Sequence, residues 1–470
     1  MKNLFLIAVG LTFFAATGRA QQAPAQPYNF SLADCIKYAY EHQDSVQNAI
    51  LDAKSAEYKV KETIGIGLPQ ISGTVSFQDY LKTPQILFPD FISPAVYGVL
   101  ANEGVKNGSN QTIVVPKASG ATQSVSFTQK YSNTLGLDVN QIIFDGSYLV
   151  GLKASKTYKE LSQKAVVRSK IQTNVSVTKA YYQVLVSNEQ IKLLAANINQ
   201  LKQQLDETTA QNKQGFVEKI DVQRLEVQYN NLVTNRENIV RSLVLNYEML
   251  KFQMGMPIQN QLTLTDQLEN VQLDQSVAES VVDTAFYHKR IEFSLLETSK
   301  QLNELDLKRK KSQYLPSLVA FGNTGLQFQD NSFGNLYNIN YPSTYVGLKL
   351  SVPIFNGFQR KYQVKQSEIS VLKSQNDLAN LKNGLSLQAE ASRINYMNGI
   401  QSLNNQKRSR ELAQEVLRVS KIKYQQGVGS SIEVTQAQTA LETADNQYIQ
   451  ALYDALVNKV NLDQAYGRIN

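Results

Sequence analysis

Apolar residues recur along most of this chain with the periodicity of long helices. One run steps alternately by three and four residues, the spacing of a coiled-coil seam. It consists of Ile191, Leu194, Ile198, Leu201 and Leu205. This pattern predicts helices that pack side by side along their length.

Two proline-free tracts allow these helices to become unusually long. Residues 147–213 and 358–426 contain no proline, the residue that most strongly breaks a helix. At about 1.5 Å per residue, each would be roughly 100 Å long. A second helical stretch follows each tract, over 217–253 and 430–466. The sequence therefore predicts two long helical hairpins.

The turns of the two predicted hairpins resemble each other. Gly215 and Gly427 are 212 residues apart, and Ile220-Asp221-Val222 matches Ile432-Glu433-Val434 at the same offset. Glycine can end a helix through a left-handed conformation. The repeated turn indicates an internal duplication.

Two shorter helices are predicted over 31–64 and 276–313. Each begins with a serine followed three residues later by an acidic residue, the spacing of a capping box. Each ends before a Leu-Pro pair, and the two prolines, Pro69 and Pro316, are 247 residues apart. These helices extend the duplication to the rest of the chain.

Alternating apolar and polar residues predict strands between the helices, at 71–78, 134–140, 318–323 and 346–352. Strands with one apolar and one polar face fit a transmembrane β-barrel, and they also fit a soluble half-buried sheet. Four strands cannot enclose a channel. The barrel interpretation therefore requires several chains to share one barrel.

The two strand pairs are joined by segments of different length. Residues 82–130 join the first pair and 331–342 join the second, so the first repeat carries an insertion of about 36 residues. It is predicted to be a loop opposite the helices. The sequence does not assign it a role.

The amino terminus has the features of a secretory signal peptide. Lys2 precedes an apolar run from Leu4 to Ala16, and Gly18-Arg19-Ala20 provides small residues for cleavage after Ala20. The run is short for a membrane anchor. No later apolar stretch approaches the roughly 18–20 residues of a transmembrane helix, so a membrane part would consist of strands.

The composition excludes several functions. The formal net charge of +7 is spread over 470 residues without a basic stripe, so no nucleic-acid partner is expected. Cys35 is the only cysteine, which rules out an intrachain disulfide. His42 and His288 lie on predicted helices, and neither a nucleophile elbow nor a phosphate loop occurs. We expect no catalysis, metal or cofactor.

These patterns divide the chain into a signal peptide (1–20), a first repeat (21–257), a linker (258–275) and a second repeat (276–470). Each repeat contains a helix, a strand pair and a long helical hairpin. The first repeat also carries the long outer loop.

With these features the chain resembles the bacterial outer-membrane efflux proteins, the TolC family. The resemblance rests on duplicated motifs in matching order: the strand entries Leu68-Pro69 and Leu315-Pro316, the turns Ile143-Phe144-Asp145-Gly146 and Ile354-Phe355-Asn356-Gly357, and the hairpin turns at Gly215 and Gly427. It implies an α+β membrane protein with four strands per chain. A homotrimer would form a twelve-stranded outer-membrane β-barrel that continues into a periplasmic α-helical coiled-coil barrel.

The resemblance also implies roles for residues at the hairpin turns. A periplasmic gate would use a hydrogen bond between Tyr424 and Asp221, and Glu433 would form a carboxylate ring that attracts cations. Gly215, Gly427 and Gly429 would shape the turns and dock a periplasmic adaptor. Acidic residues are also favoured at helix starts without any function.

Two positions depart from the pattern of some relatives. Gly429 stands where some members have an arginine that pairs across the gate, and Gln436 stands where some have a second aspartate. We therefore expect a gate that is less strongly held by charge.

The resulting functional hypothesis is a passive outer-membrane exit duct. It would bind an adaptor and an inner-membrane pump that supplies the energy. Within the same fold, the alternative is an export duct of a type I protein secretion system. From different classes, the alternatives are a periplasmic coiled-coil adaptor and a structural filament protein. Trimer formation with ion conductance would distinguish a duct from both.

Overall fold

The computed structural model describes residues 28–89, 92–115, 122–268, 273 and 285–469. The chain divides into two compact units. The helical unit contains the described residues up to 55, together with those in 160–299 and 375–470, and the sheet unit contains those in 56–159 and 300–374.

The described helices and strands follow one another along the chain. They are β1 (Tyr28–Phe30), α1 (Leu32–His42), α2 (Asp44–Ile66), β2 (Gln70–Asp79), β3 (Ile86–Pro89), α3 (Ile92–Asn102), β4 (Thr122–Val125), β5 (Tyr131–Phe144), α4 (Gly146–Lys213), α5 (Lys219–Met254), β6 (Leu262–Leu264), α6 (Ile291–Ser312), β7 (Ser317–Asp330), β8 (Asn340–Ser351), α7 (Gln359–Gln425) and α8 (Ser431–Ala465).

The two long hairpins predicted from the sequence are confirmed. Helices α4 and α5 form the first hairpin, and α7 and α8 form the second. Leucines at helical spacing pack between the arms of the first, and the cluster consists of Leu194, Leu201, Leu225 and Leu232. Within the described ranges, no helix combines the length and apolar character needed to cross a membrane.

The first short helix is interrupted, contrary to the prediction of one helix over 31–64. Its capping box is confirmed, because Ser31 Oγ accepts a bond from the Asp34 N–H and the Asp34 carboxylate accepts one from the Ser31 N–H. The break at Gln43 has an extended backbone with ψ 123°. Gly255, which ends α5, approaches so closely that a Cβ there would lie 2.5 Å from the His42 carbonyl oxygen.

The second repeat has a matching contact. Gly467, 212 residues after Gly255, would place a Cβ 2.9 Å from the carbonyl oxygen of Lys289, which lies 247 residues after His42. Arg290 follows with an extended backbone, and α6 begins at Ile291. The predicted helix start at 276–279 lies outside the described residues. In both halves, a glycine that follows the last long helix thus approaches the residue immediately before the extended one, after which a shorter helix begins.

Arg290 joins the second-repeat break to the end of α8. Its buried guanidinium donates to the Ala465 carbonyl oxygen at 2.9 Å and pairs with Glu292 at 3.0 Å. An amide hydrogen bond to Gln388 at 3.3 Å adds α7 to this contact. The second repeat therefore fastens its first and last helices through one cation.

A strand pair that the sequence did not predict lies in the helical unit. Strand β1 pairs in parallel with β6. Strand β6 lies in the segment that was predicted to be a linker. Asp266 accepts hydrogen bonds from the Tyr181 hydroxyl at 2.8 Å and from the Leu32 N–H at 2.9 Å. Cys35 is fully buried in the same cluster, and burial raises the pKa of its thiol to about 12.

The four predicted strands form one antiparallel sheet in the order β2-β5-β7-β8. The register places most apolar side chains on one face, among them Val75, Leu135, Leu137, Val139, Val346, Leu348 and Leu350. The opposite face is largely polar. In the described part of the chain, no further strand pairs with the outer edges of β2 and β8.

The sequence analysis predicted a loop for the long insertion, but the insertion contains regular secondary structure. It contains the antiparallel pair β3–β4 and the helix α3. The α3 sequence, ISPAVYGVLAN, has no charged residue, yet none of its residues is buried. Its apolar composition carries no strong periodicity, which explains why the helix was missed.

Candidate functional site at the helical hairpin turns

The two hairpin turns have the same backbone geometry. Gly215 and Gly427 adopt left-handed conformations with φ of 80° and 75°. The next N–H, of Phe216 or Val428, donates to the carbonyl five residues earlier, at 3.0 Å in both turns. This is a glycine-ended helix terminus, as the sequence predicted.

Gly429 serves the second turn in a different way. A Cβ at this position would lie 2.9 Å from the Cβ of Lys423 and 3.1 Å from the Tyr424 nitrogen. The Gly429 N–H also donates to the Lys423 carbonyl at 3.1 Å. The turn therefore has no room for an arginine here, which gives a steric reason for the departure from some relatives.

Asp221 links the two hairpins, but its partner differs from the predicted one. Its carboxylate accepts a hydrogen bond from the Ser431 hydroxyl at the start of α8. Arg224 approaches the same carboxylate at 3.4 Å. Within the described part of this chain the Tyr424 hydroxyl does not form the predicted bond, and the partner of Asp221 is Ser431.

Tyr424 lies close to this link without joining it. Its buried hydroxyl has no hydrogen-bond partner in the described part of the protein. Burial raises the pKa of the phenol, and the charge of Asp221 raises it further. The hydroxyl is therefore held in its neutral, donating form beside a carboxylate that it does not contact.

A second contact between the hairpins lies two turns of α5 beyond the Ser431–Asp221 bond. The Gln228 side-chain amide donates to the Thr435 carbonyl at 3.4 Å and to the Thr439 hydroxyl at 3.3 Å. We call these two contacts, Ser431–Asp221 and Gln228 to Thr435 and Thr439, the hairpin link. Asp221 and Gln228 are seven residues apart, and this spacing was the sequence signal that could have placed both on one helix face.

A polar cleft of about 240 Å³ lies between α4 and α7 next to the turns. Gln204, Glu207, Lys421 and Tyr424 line it, and the buried Gln204 Oε1 has no partner among the described residues. Burial lowers the pKa of Lys421, while the charge of Glu207 opposes that shift. The two hairpins are therefore only partly joined here.

Farther from the turns, a charged network joins three helices. Asp445 of α8 accepts from Arg410 of α7 at 2.7 Å and from Asn197 of α4 at 2.8 Å. Arg410 also stacks over the Tyr448 ring, 5.2 Å from its centroid. This network joins the two hairpins, whereas nearer the turns the polar cleft separates α4 from α7.

Glu433 is exposed in the first turn of α8. Its N–H donates to Ser430 Oγ at 3.3 Å, which caps the helix. Its carboxylate forms no ion pair with any residue the structure describes. The side chain is therefore available to solutes, as a pore ring requires, and it also stands where the helix dipole favours an acid.

The remaining predicted residues lie in the sheet unit. Strand β2 begins directly after Pro69 and β7 directly after Pro316. Helix α4 begins at Gly146, whereas Gly357 has a left-handed φ of 61° before α7. The described residues contain no group of three or more His, Cys, Asp or Glu that could hold a metal ion.

Comparisons with known proteins agree with this geometry. The family model described as "Outer membrane efflux protein" matches residues 295–468. Outer membrane protein TolC of Salmonella enteritidis is 24% identical over 341 residues, which cover 71% of this chain and 69% of that protein. The proteases secretion protein PrtF of Dickeya chrysanthemi is 21% identical over 325 residues, covering 68% and 67%.

The fold has a close structural counterpart. The Campylobacter jejuni CmeC outer membrane channel superposes with a TM-score of 0.70 at 13% identity, covering 99% of this chain and 94% of that one. A four-stranded sheet with two long helical hairpins is thus the fold of outer-membrane channels. Residues 295–468 thus carry the pattern of the outer-membrane efflux protein family, and over about seven tenths of its length the chain is similar to the outer membrane protein TolC.

Proposed function

We propose that this chain is the outer-membrane exit duct of a tripartite efflux system. The observation that carries the proposal is an open four-stranded sheet with one apolar face, one polar face and two edges that no described strand pairs with. Unpaired edges bind further strands. Because β2 and β8 are different edges, pairing one to the other in successive copies generates a ring when the rotation between copies closes.

Three copies of such a sheet give a twelve-stranded barrel. The apolar face would contact lipid, and the polar face would border water. Long hairpins of the same chains would continue the wall into the periplasm. Four strands alone cannot surround a channel, so the proposed barrel and periplasmic tunnel both require the homotrimer.

The hairpin turns would form the periplasmic gate and the docking surface for the adaptor. In the closed state, the hairpin link holds α5 to α8 within one chain. Separating the link would let the second hairpin move away from the first and widen the entrance. Tyr424 would act beside the link, and three copies of Glu433 would attract cations. The inner-membrane pump would supply the energy.

An export duct for proteins is the second candidate within the same fold. The similarity to the Dickeya chrysanthemi proteases secretion protein favours it, whereas the family match favours efflux. A periplasmic adaptor would not need a four-stranded sheet with open edges. Restoring drug tolerance or protease secretion in strains that lack their own duct would separate the two cargoes.

The decisive experiment measures the mass of the detergent-solubilised complex and its conductance in a planar bilayer. A complex of three chains that forms discrete channels is the expected result. Well-folded protein that stays monomeric and forms no channel would refute the duct and leave the adaptor as the better account.

A further inference from the structure

A second polar cleft lies in the sheet unit, where the strands meet the helices. Its volume is about 420 Å³. It is lined by side chains that donate hydrogen bonds or carry positive charge, among them Lys310, Gln313, Ser317, Ser351, Gln359 and Arg360. This set is the kind that recognises an anionic group.

The two cations of the cleft are not neutralised by carboxylates. The neighbouring basic residues are paired, Arg309 with Asp306 at 2.7 Å and Lys311 with Glu368 at 3.3 Å. Among the residues that the structure describes, Lys310 and Arg360 form no ion pair. Lys310 is close enough to Asp306 to help lower the pKa of that carboxyl, but the Asp306 carboxylate is already paired with Arg309, so both cleft cations can still interact with a ligand.

One carboxylate, that of Asp145, also lines the cleft. It accepts hydrogen bonds from the Ser147 hydroxyl at 2.6 Å and from the Tyr148 N–H at 2.8 Å, which cap the start of α4. Asp145 is thus already engaged by the backbone of its own helix. Two cations face this single capped carboxylate, so the cleft keeps a positive balance.

The backbone before α7 contributes to the same site. Gly357 and Phe358 are both left-handed, with φ of 61° and 63°. These two residues lie between Asn356 and Gln359, which both line the cleft. Helix α7 begins at Gln359, and its positive end adds to the potential around Gln359 and Arg360.

The register of the sheet shows which face the cleft reaches. Ser317 and Ser351 are direct partners in the β7–β8 pair, and both lie on the polar face. Lys349 lies on the same face, two residues from Ser351. In the proposed barrel the polar face borders water, so the cleft would open onto the path of the cargo, and this step rests on the proposed function.

The first repeat does not carry the same charges. By the offsets of the duplication, Lys310 corresponds to Thr63 and Arg360 corresponds to Leu149. Neither counterpart is charged. The cation pair is therefore a property of one repeat rather than a requirement of the strand-to-helix junction.

We propose that the cleft of Lys310 and Arg360 is a binding site for anionic groups, phosphate or carboxylate, on solutes that pass through the duct. Lys310 and Arg360 supply the charge, and the serine and glutamine side chains supply neutral hydrogen bonds. Three chains would place three such sites around one water path. The duct would then concentrate anionic cargo at the junction of its sheet and its helices.

The test compares two double variants that remove the same charge. Lys310→Gln with Arg360→Gln removes the cations of the cleft, and Lys308→Gln with Lys361→Gln removes two neighbouring exposed cations that do not line it. Reversal potentials are measured in planar bilayers under a KCl gradient. The inorganic phosphate concentration that halves the chloride current is measured in the same membranes.

We expect the cleft variant to shift the reversal potential towards cations and to need at least about tenfold more phosphate, because two charge-assisted contacts are lost and one alone is worth about tenfold. The control variant should stay close to wild type. Equal shifts in both variants, or no shift in either, would overturn the site while leaving the duct intact. Protein that forms no channels would refute the proposed function, and the inference with it.

Discussion

The Ser431 hydroxyl donates a hydrogen bond to the Asp221 carboxylate, so a serine of one hairpin holds an acid of the other. The Asp221 side chain is only 17% exposed, which strengthens a bond to its charge. A hydroxyl reaches only a short distance, unlike an arginine. The link therefore exists only while the two helices stay close together.

Ser431→Ala should favour the open state of the channel. Loss of a hydrogen bond to a charged acceptor costs about 1.5 kcal/mol per chain, or roughly tenfold in the balance of closed and open states. The measurement is single-channel open probability in planar bilayers. Ser430→Ala, which removes the neighbouring helix cap but not the link, is the control and should leave open probability near wild type.

Tyr424→Phe should have a smaller effect than Ser431→Ala, because the Tyr424 hydroxyl has no hydrogen-bond partner among the residues that the structure describes. Channels that open more readily with Tyr424→Phe than with Ser431→Ala would contradict the hairpin link as the main restraint.

Glu433→Gln should weaken cation preference. A carboxylate near the path raises local cation concentration by about two- to threefold at low salt, and salt screens the effect. The cation-to-anion permeability ratio, taken from the reversal potential, should fall by that factor. Glu411→Gln removes an equally exposed charge on α7 and is the control. An unchanged ratio at low salt would place Glu433 outside the path.

Two glycines with the same backbone conformation should respond differently to alanine. Gly215→Ala meets no atom within 4 Å, so its cost is about 1 kcal/mol from the left-handed backbone. Gly255→Ala also clashes with the His42 carbonyl, for a total of about 2–4 kcal/mol. Thermal unfolding in detergent should show the larger fall in Tm for Gly255→Ala. Equal falls would mean that the α1–α2 break is not fixed by α5.

The stability of the helical unit should depend on pH through Glu442. Burial raises its pKa, and the charge of Asp445 on the same helix raises it further; Arg410 and Asn197 face Asp445 from α7 and α4. A raised carboxyl pKa stabilises the fold below the unfolded value, and this contribution is lost as pH rises through the folded value. Ionised Glu442 therefore destabilises the protein at neutral pH.

Glu442→Gln should accordingly raise Tm at pH 7, and the difference from wild type should disappear towards pH 4. Glu226→Gln, an exposed change in the first hairpin, should show no such pH dependence. A Glu442→Gln protein with the same Tm as wild type at both pH values would contradict a raised pKa of Glu442.

The long hairpins and the sheet were predictable because their signals are local. Alternating three- and four-residue spacing, absence of proline and period-two strands each act within one element. The break at Gln43 was not predictable, because it depends on Gly255, which is distant in sequence. Strands β1 and β6 were missed because three residues are too few to show a period, and their partners lie 234 residues apart.

The site was predicted with the same limits. The turns at Gly215 and Gly427 follow from residue type alone, and the structure confirms them. The bond from Ser431 to Asp221 depends on how one hairpin is registered against the other, and no local pattern encodes that register. The proximity of Tyr424 to Asp221 was therefore predictable, whereas the bond from Ser431 was not.

The contacts of the two repeats also bear on the order in which the chain assembles. Strand β1 finds its partner in β6, and Gly255 closes on His42, so the first half fastens its own ends by residue 264. The second half fastens through Arg290 and Ala465, with Gly467 beside Lys289. A polypeptide that emerges with its amino terminus first can therefore form the end contacts of its first half before the second half has been synthesised. The β5–β7 pairing and the hairpin link, in contrast, form only once both halves are present.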